Sequence, residues 1–519
     1  MRFAEVVRAD EPALGQELLG DRTAEATGRS RDHDALHVSQ HMLRNMTVTS
    51  HTAEDTRAAF DRARHAQRRW ADTPVSERKK IMYRYHDLLL DRQDEVMDVI
   101  QEESGKARKD AHEEILDSAI TARHYANQAA RLLRPRTVRP TLPIITTTHV
   151  EHAPVGVVGV IAPWNYPLIL ALSDAVAALI AGNAVVIKPD AKTPRTALTA
   201  AALLHEAGLD EDLLQVVTGA GSVVGQEIVA QCDYLMFTGS TETGRALAAQ
   251  AGQRLIGFSG ELGGKNPMIV APDADLARAA RGAVNACFSN AGQLCISVER
   301  IYVHRDVAAE FIPAFVAHVE AMRVDGSRDW TVDMGSLISA EHHAKVSALV
   351  EDAVSRGARV LTGGKSLGGT FYAPTVLTDV PADAALHREE VFGPVVYIEI
   401  VDSLDDAVHR ANDTHYGLNA SIWAATATGR ALASRMHAGT VNVNEGYSAA
   451  WISLHAPMGG WKASGVGRRQ GDHGLLKYTE PRTIAVQRFM STSGPEFLPR
   501  EKFATVARTA LKLGKRILP

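Results

Sequence analysis

The sequence predicts an α/β protein built on parallel sheets. Two observations carry that reading. Between residues 155 and 270 short, continuously apolar runs alternate with helical stretches, and from about 271 to 470 a second series of the same kind follows. Runs that are apolar at every position belong to strands buried on both faces, so helices must cover the sheet on either side. A third observation sets a small piece apart. Residues 134–150 are rich in Thr and Ile and hold Pro140 and Pro143, which predicts an extended ribbon.

Taken in order, residues 1–48 are polar and unpatterned and predict an extended arm. Residues 53–132 read as helices, because Ala58, Ala59, Ala63, Ala66 and Trp70 recur at helical spacing, as do Ile81, Tyr85, Leu88 and Leu89. The runs 155–162, 184–187, 214–217, 235–237 and 267–270 are the strands of the first series, and 300–303 and 395–400 belong to the second. Residues 476–489 predict a returning strand. The expected organisation is an arm (1–48), a first α/β domain (49–134 with 154–270), a second (271–475), a ribbon (135–153 with 476–492) and a basic tail (493–519). At roughly 150 residues per domain, a chain of 519 residues has room for about three.

Composition excludes several function classes. Apolar content of 45% and charged content of 23% are ordinary for a globular protein, and a net charge of −5 gives no reason to expect nucleic acid. Three cysteines, Cys232, Cys287 and Cys295, make no disulfide framework, which fits a reducing compartment. The first residues lack the apolar core of a signal peptide, and no apolar run approaches the roughly 20 residues that span a bilayer. A cytoplasmic protein without a membrane partner is expected. The tail carries Arg500, Lys502, Arg508, Lys512, Lys515 and Arg516 against Glu501, beside a weak stripe of Phe503, Val506, Ala507, Ala510, Leu511 and Ile517. A helix packed on its own or a neighbouring subunit is expected there, ahead of one lying on an anionic membrane.

Two residue types carry the chemistry. Leu276, Ala280, Val284, Cys287 and Phe288 keep one helical face, so Cys287 is core filler. Ser289-Asn290-Ala291-Gly292 breaks that helix, and Cys295 lies just past the break, where a turn can present a thiol to a cleft. Glu261 lies 34 positions earlier (295 − 261), and Gly260, Gly263 and Gly264 around it imply close backbone approach. A thiol and a carboxylate are the minimum kit for covalent chemistry on a carbonyl. Two glycine runs offer a phosphate cradle. Gly219-Ala220-Gly221-Ser222-Val223-Val224-Gly225 is a loose dinucleotide fingerprint, while Gly239-Ser240-Thr241-Glu242-Thr243-Gly244 follows a strand and opens a helix.

The runs around Glu261 and Cys295, with Pro163-Trp164-Asn165-Tyr166-Pro167 and Phe237-Thr238-Gly239-Ser240-Thr241 upstream, resemble an aldehyde dehydrogenase from about residue 50 to about 485. The resemblance implies a Rossmann-type cofactor domain, an α/β catalytic domain and a β ribbon through which copies form a homodimer or homotetramer. It implies NAD(P)-dependent oxidation of an aldehyde to an acid through a thiohemiacetal and a thioester, with no metal. Cys295 is then the nucleophile, Asn165 the oxyanion donor and Glu261 the base for hydrolysis. Trp164, Lys188, Gly221, Gly225, Ser240, Glu390 and Phe392 are the implied cofactor contacts. Ala191 stands three residues after Lys188, where NAD-preferring relatives carry a ribose-binding Glu, so NADP is expected ahead of NAD.

Residues 288–297, 334–339 and 474–480 look most like the bacterial succinate-semialdehyde dehydrogenase branch, in its actinobacterial second form. That implies succinate semialdehyde as substrate. Two departures point elsewhere. Well-characterised members hold the substrate carboxylate with arginines, and here those positions are Ser289 and Ser173. An entrance loop over 445–457 offers Tyr447, Trp451, Ser453 and His455, a lining that suits an uncharged aliphatic or aromatic aldehyde equally well. A thioesterase on the same residues and a silent binding protein are the rival classes; the cofactor motifs oppose the first, and Cys295 with Glu261 the second.

Overall fold

A computed structural model describes residues 48–140, 145–488, 490–491 and 493–515. The expected arm lies, but for its last residue, outside them. The helical block forms Ala53–Asp72, Val75–Asp91, Gln93–Ser104 and Arg108–Leu133. Thr52 opens the first with a capping box: its Oγ1 accepts the Asp55 N–H at 3.1 Å, and Asp55 Oδ2 accepts the Thr52 N–H at 2.8 Å. Gly105, in the left-handed region at φ 70°, ends the third.

The first sheet has six strands in the order Gly465–Val466, Gly257–Glu261, Tyr234–Thr238, Val157–Ile161, Ala184–Lys188, Leu214–Val216. All neighbours are parallel except the two-residue edge strand Gly465–Val466. From Val157–Ile161 the chain moves outward through two strands, then returns to lay Tyr234–Thr238 on the other side. That reversal is a switch point, and open α/β sheets bind ligands at the carboxyl ends of the strands flanking it. Asn165 and Ser240 follow those two strands.

The second sheet has seven strands in the order Arg359–Thr362, Thr375–Thr378, Val395–Val401, Val298–His304, Asn266–Val270, Asn419–Trp423, Thr440–Val443. One expectation changes here. The run 267–270 is not the last strand of the first series: it pairs with Val298–His304 and Asn419–Trp423 in the second sheet. The boundary expected at 270 therefore falls before Asn266. The first sheet's fifth strand is instead Gly257–Glu261, Gly-Phe-Ser-Gly-Glu, whose glycines and polar residues hide it from a search for apolar runs.

The ribbon is three antiparallel strands, Arg136–Val138, Thr146–Pro154 and Thr479–Gln487, with Thr146–Pro154 in the middle. Thr479–Gln487 is the outer strand, and every residue after Thr479 is exposed. The tail helix Arg500–Gly514 buries none of its residues, so packing on its own chain is not what the described residues show.

One buried pair holds the site's entry turn. Lys106 and Glu114 are both 0% exposed at 2.5 Å, and Lys106 Nζ also donates to the Asn165 carbonyl at 2.8 Å. Glu114 accepts the Leu168 and Ile169 N–H groups at 2.8 and 3.3 Å, the first turn of Pro167–Ile180. Lys106→Met leaves Glu114 as an uncompensated buried acid. It should cost about 3–5 kcal/mol in urea unfolding; a loss under about 1 kcal/mol would show that the turn holds itself.

Candidate active site

Cys295 is presented by strain. After the helix Leu276–Phe288 the backbone takes three consecutive left-handed residues, Asn290 (φ 50°), Ala291 (φ 55°) and Gly292 (φ 68°). Gly292 admits no side chain, since a Cβ there would lie 2.1 Å from the Gly393 carbonyl oxygen. From 286 to 303 every residue is buried except Cys295. The loop before the second sheet wraps it from below. A Cβ on Gly264 would lie 2.7 Å from the Cys295 carbonyl oxygen, which also accepts from Asn266 Nδ2 at 2.8 Å. Of the glycines beside Glu261, Gly264 thus answers to close backbone approach and Gly263 to the Glu390 carboxylate packed against it.

Two clefts meet at the thiol. The first, about 720 Å³, is lined by Cys295, Glu261, Asn165, Thr238, Leu170 and a wall that includes Ser173, Trp451 and Arg469. The second, about 750 Å³, shares Cys295, Glu261, Asn165, Thr238 and Leu170 and adds Trp164, Ser240, Glu390 and Phe392. Asn165 Nδ2 donates to the Gln293 carbonyl at 3.0 Å, and an amide has a second N–H to offer. Burial raises the Glu261 carboxyl to about 7, with Arg469 and Lys477 opposing. Burial also pushes the Cys295 thiol up to about 12, with Glu390 and Glu261 adding and Arg469 opposing. A carboxylate poised near 7 suits a general base at neutral pH.

The second cleft's far side is set by another buried pair. Lys265 Nζ lies 2.7 Å from Glu299, and Glu299 accepts the N–H groups of Val391 and Phe392 at 3.0 Å. That pins Glu390, which accepts the Gly264 N–H at 2.8 Å and whose carboxyl burial and Glu299 raise to about 8. Phe392, at φ 55°, meets Trp164 edge-on at 5.5 Å. Ser240 caps the helix Thr241–Arg254 by accepting the Thr243 N–H at 3.3 Å. The other candidate contacts sit apart from this cleft. Gly221 and Gly225 flank the stem of Lys188, with a Cβ on Gly225 coming 3.8 Å from its Cδ, and Ala191 is exposed beyond the strand end.

The first cleft differs from expectation. Ser289 is buried and does not line it; its Oγ accepts from Tyr447 Oη and donates to the Asn285 carbonyl, both at 2.9 Å. Of the four entrance-loop residues only Trp451 lines the cleft, its Nε1 donating to Asp117 at 2.6 Å. Arg469, Asp174 and Lys477 were not picked out from the sequence. Asp174 is the only charge in Pro167–Ile180, a helix that is otherwise apolar and buried but for Ser173. A lone acid there is a signal in itself, because such a charge must be paired.

The geometry sets a thiol where two clefts meet, beside a switch point of a parallel sheet, and comparison of the sequence gives the class. The aldehyde dehydrogenase family model matches residues 37–484, and the chain belongs to that family of oxidoreductases. A protein of Mycolicibacterium smegmatis is 56% identical over 453 residues, covering 86% of this chain and 88% of its own; its name assigns it, provisionally, as an NADP-dependent succinate-semialdehyde dehydrogenase. One of Mycobacterium ulcerans, with a name of the same kind, is 53% identical, covering 91% of this chain and 92% of its own. Among solved structures, an Escherichia coli NADP-dependent enzyme superposes with a TM-score of 0.81 at 35% identity, covering 85% of this chain and 92% of its own. An NAD+ complex of a Bacillus cereus aldehyde dehydrogenase does so with a TM-score of 0.81 at 34% identity, covering 85% and 90%.

Proposed function

We propose that this protein oxidises succinate semialdehyde to succinate with NADP as preferred acceptor. The observation that carries the reading is the meeting of the two clefts at Cys295, with Glu261 and Asn165 lining both. Cys295 gives up its thiol proton to water and its Sγ adds to the aldehyde carbon, and the free N–H of Asn165 is the donor available to the oxygen that gains charge. Bound NADP supplies a hydride acceptor. The acyl group is left as a thioester on Cys295, and Glu261 takes a proton from the water that hydrolyses it.

The residues present fit such a cofactor. Ser240 opens a helix N-terminus onto the second cleft, where amides favour phosphate. No carboxylate stands at Ala191, and Asp190 is turned to its own loop, its Oδ1 accepting the Lys192 N–H at 2.9 Å. Lys192 stays 43% exposed, its Nζ 3.9 Å from Asp190 Oδ1, and with Lys188 it outnumbers that single acid, a setting that attracts a 2′-phosphate. The 154–265 part would hold the cofactor and the second sheet the nucleophile. The exposed outer strand Thr479–Gln487 is an unpaired edge, which supports pairing of copies into a homodimer or homotetramer. Among the described residues no helix is long and apolar enough to cross a membrane, and the three cysteines are free, which supports a cytoplasmic setting.

A second reading, an uncharged aldehyde, is favoured by Ser289 and Ser173, neither of which offers a cation. The test is NADPH and NADH formation on succinate semialdehyde, a neutral four-carbon aldehyde and an aromatic one. Succinate semialdehyde with NADP should give the highest kcat/KM, by about 10-fold or more over the neutral analogue, the value of one charged hydrogen bond. A neutral or aromatic aldehyde in first place sinks the substrate assignment and leaves the family standing.

A further inference from the structure

Arg469 is the only Lys or Arg among the described residues that line the first cleft. Its Nη2 lies 2.6 Å from Asp174 Oδ2 and 3.0 Å from Thr238 Oγ1, and its side chain is 14% exposed. Its Nε is buried without a partner. A guanidinium so fixed has donors to spare and little rotamer freedom to lose.

The charge around it is unbalanced. Asp174 faces two cations, since Lys477 Nζ also reaches its Oδ1 at 2.8 Å, and Tyr478 Oη donates there at 2.7 Å. Burial alone would raise Asp174, yet Arg469 and Lys477 hold its carboxyl well below the usual range, so it stays ionised. One fixed anion thus answers two fixed cations. The remaining acids of the cleft are Asp117 and Glu261, which burial raises to about 6 and about 7. Another anion in the cleft pushes the Asp117 carboxyl further toward its neutral form, because a like charge raises such a pKa. Arg469 cannot lose its charge in return. Ser173, beside Asp174 on the same wall, is small and brings no charge of its own.

We infer that Arg469, positioned by Asp174 and Thr238, is the residue that binds the distal carboxylate of the substrate, in place of the cations missing at Ser289 and Ser173. This rests on the proposed reaction and names its specificity determinant. Asp117 opposes it from the same cleft and sets the limit on affinity.

The test compares wild type with Arg469→Gln, Arg469→Lys and Asp117→Asn on succinate semialdehyde and the neutral four-carbon aldehyde, across pH. Arg469→Gln should raise KM for succinate semialdehyde about 10–100-fold and KM for the neutral aldehyde by no more than about 2-fold, while the acidic limb of kcat moves up for both, since Arg469 also opposes the rise of Glu261. Arg469→Lys should restore part of the loss, and Asp117→Asn should lower KM for the charged substrate. Asp174 keeps Lys477 and Tyr478 in Arg469→Gln, and its melting curve checks the fold. No preference in the wild type overturns the substrate reading and this inference together. A wild-type preference that Arg469→Gln leaves intact overturns this inference alone. So does an equal fall on both aldehydes with a shifted acidic limb, which would mean that Arg469 acts only through Glu261, whose charged neighbours are Arg469, Lys477, Asp174 and Arg468.

Discussion

Cys295→Ala is expected to abolish NADPH formation with every aldehyde, by about 10⁴–10⁶-fold, while the protein still folds and binds NADP. Removing a nucleophile that works in concert with a base and an oxyanion donor costs about that much. The fold should tolerate the change, because Cys295 is the one residue of 286–303 not buried, and alanine removes a sulfur that faces a cleft. Cys287→Ala is the matched control. That thiol is 1% exposed in the core of the second sheet, so its loss leaves a small cavity and lowers stability without touching the reaction. Retained aldehyde oxidation in Cys295→Ala would remove the nucleophile assignment. Retained esterase activity would point to a second nucleophile.

Glu261→Gln should separate the two halves of the reaction. Cofactor reduction precedes the step that needs the base, so the variant should release about one equivalent of NADPH per site in a burst. It should then turn over about 10²–10⁴-fold more slowly. Wild-type turnover carries the complementary signature. A raised pKa means that the carboxyl keeps its proton to higher pH, and burial raises Glu261 to about 7. The base form is therefore present above about 7 and lost below it, so turnover should fall as pH drops through that value. In Glu261→Gln this limb should vanish. An unchanged pH profile together with an unchanged steady rate would assign the water-activating role elsewhere.

Much of this was legible in one dimension. The strands 157–161, 184–188 and 234–238 announce themselves because they are buried on both faces and must be apolar throughout. The Asn-Ala-Gly-Gln-Leu-Cys run is legible because a left-handed turn and a close carbonyl need particular residue types at particular places. Glu261 is legible through its glycines for the same reason. Gly257–Glu261 escaped because a strand that carries catalytic polarity at its end and glycines along it no longer looks apolar. The membership of 266–270 in the second sheet escaped because an apolar strand does not encode which sheet it joins.

The sequence by itself determined the class of protein and put forward Cys295, Glu261 and Asn165 as the candidates for its chemistry, because backbone conformation and chemistry at those points are local demands on residue type. It also determined the absence of arginine at 173 and 289. Only the tertiary structure decided what that absence means. It withdraws Ser289 behind Tyr447 and brings Arg469, 295 positions from Asp174 (469 − 174), onto the Asp174 carboxylate beside Ser173. Such a pairing is made across elements distant in the chain, and a charge's partner is set by distance in space, where the Coulomb energy acts, and not by spacing along the sequence.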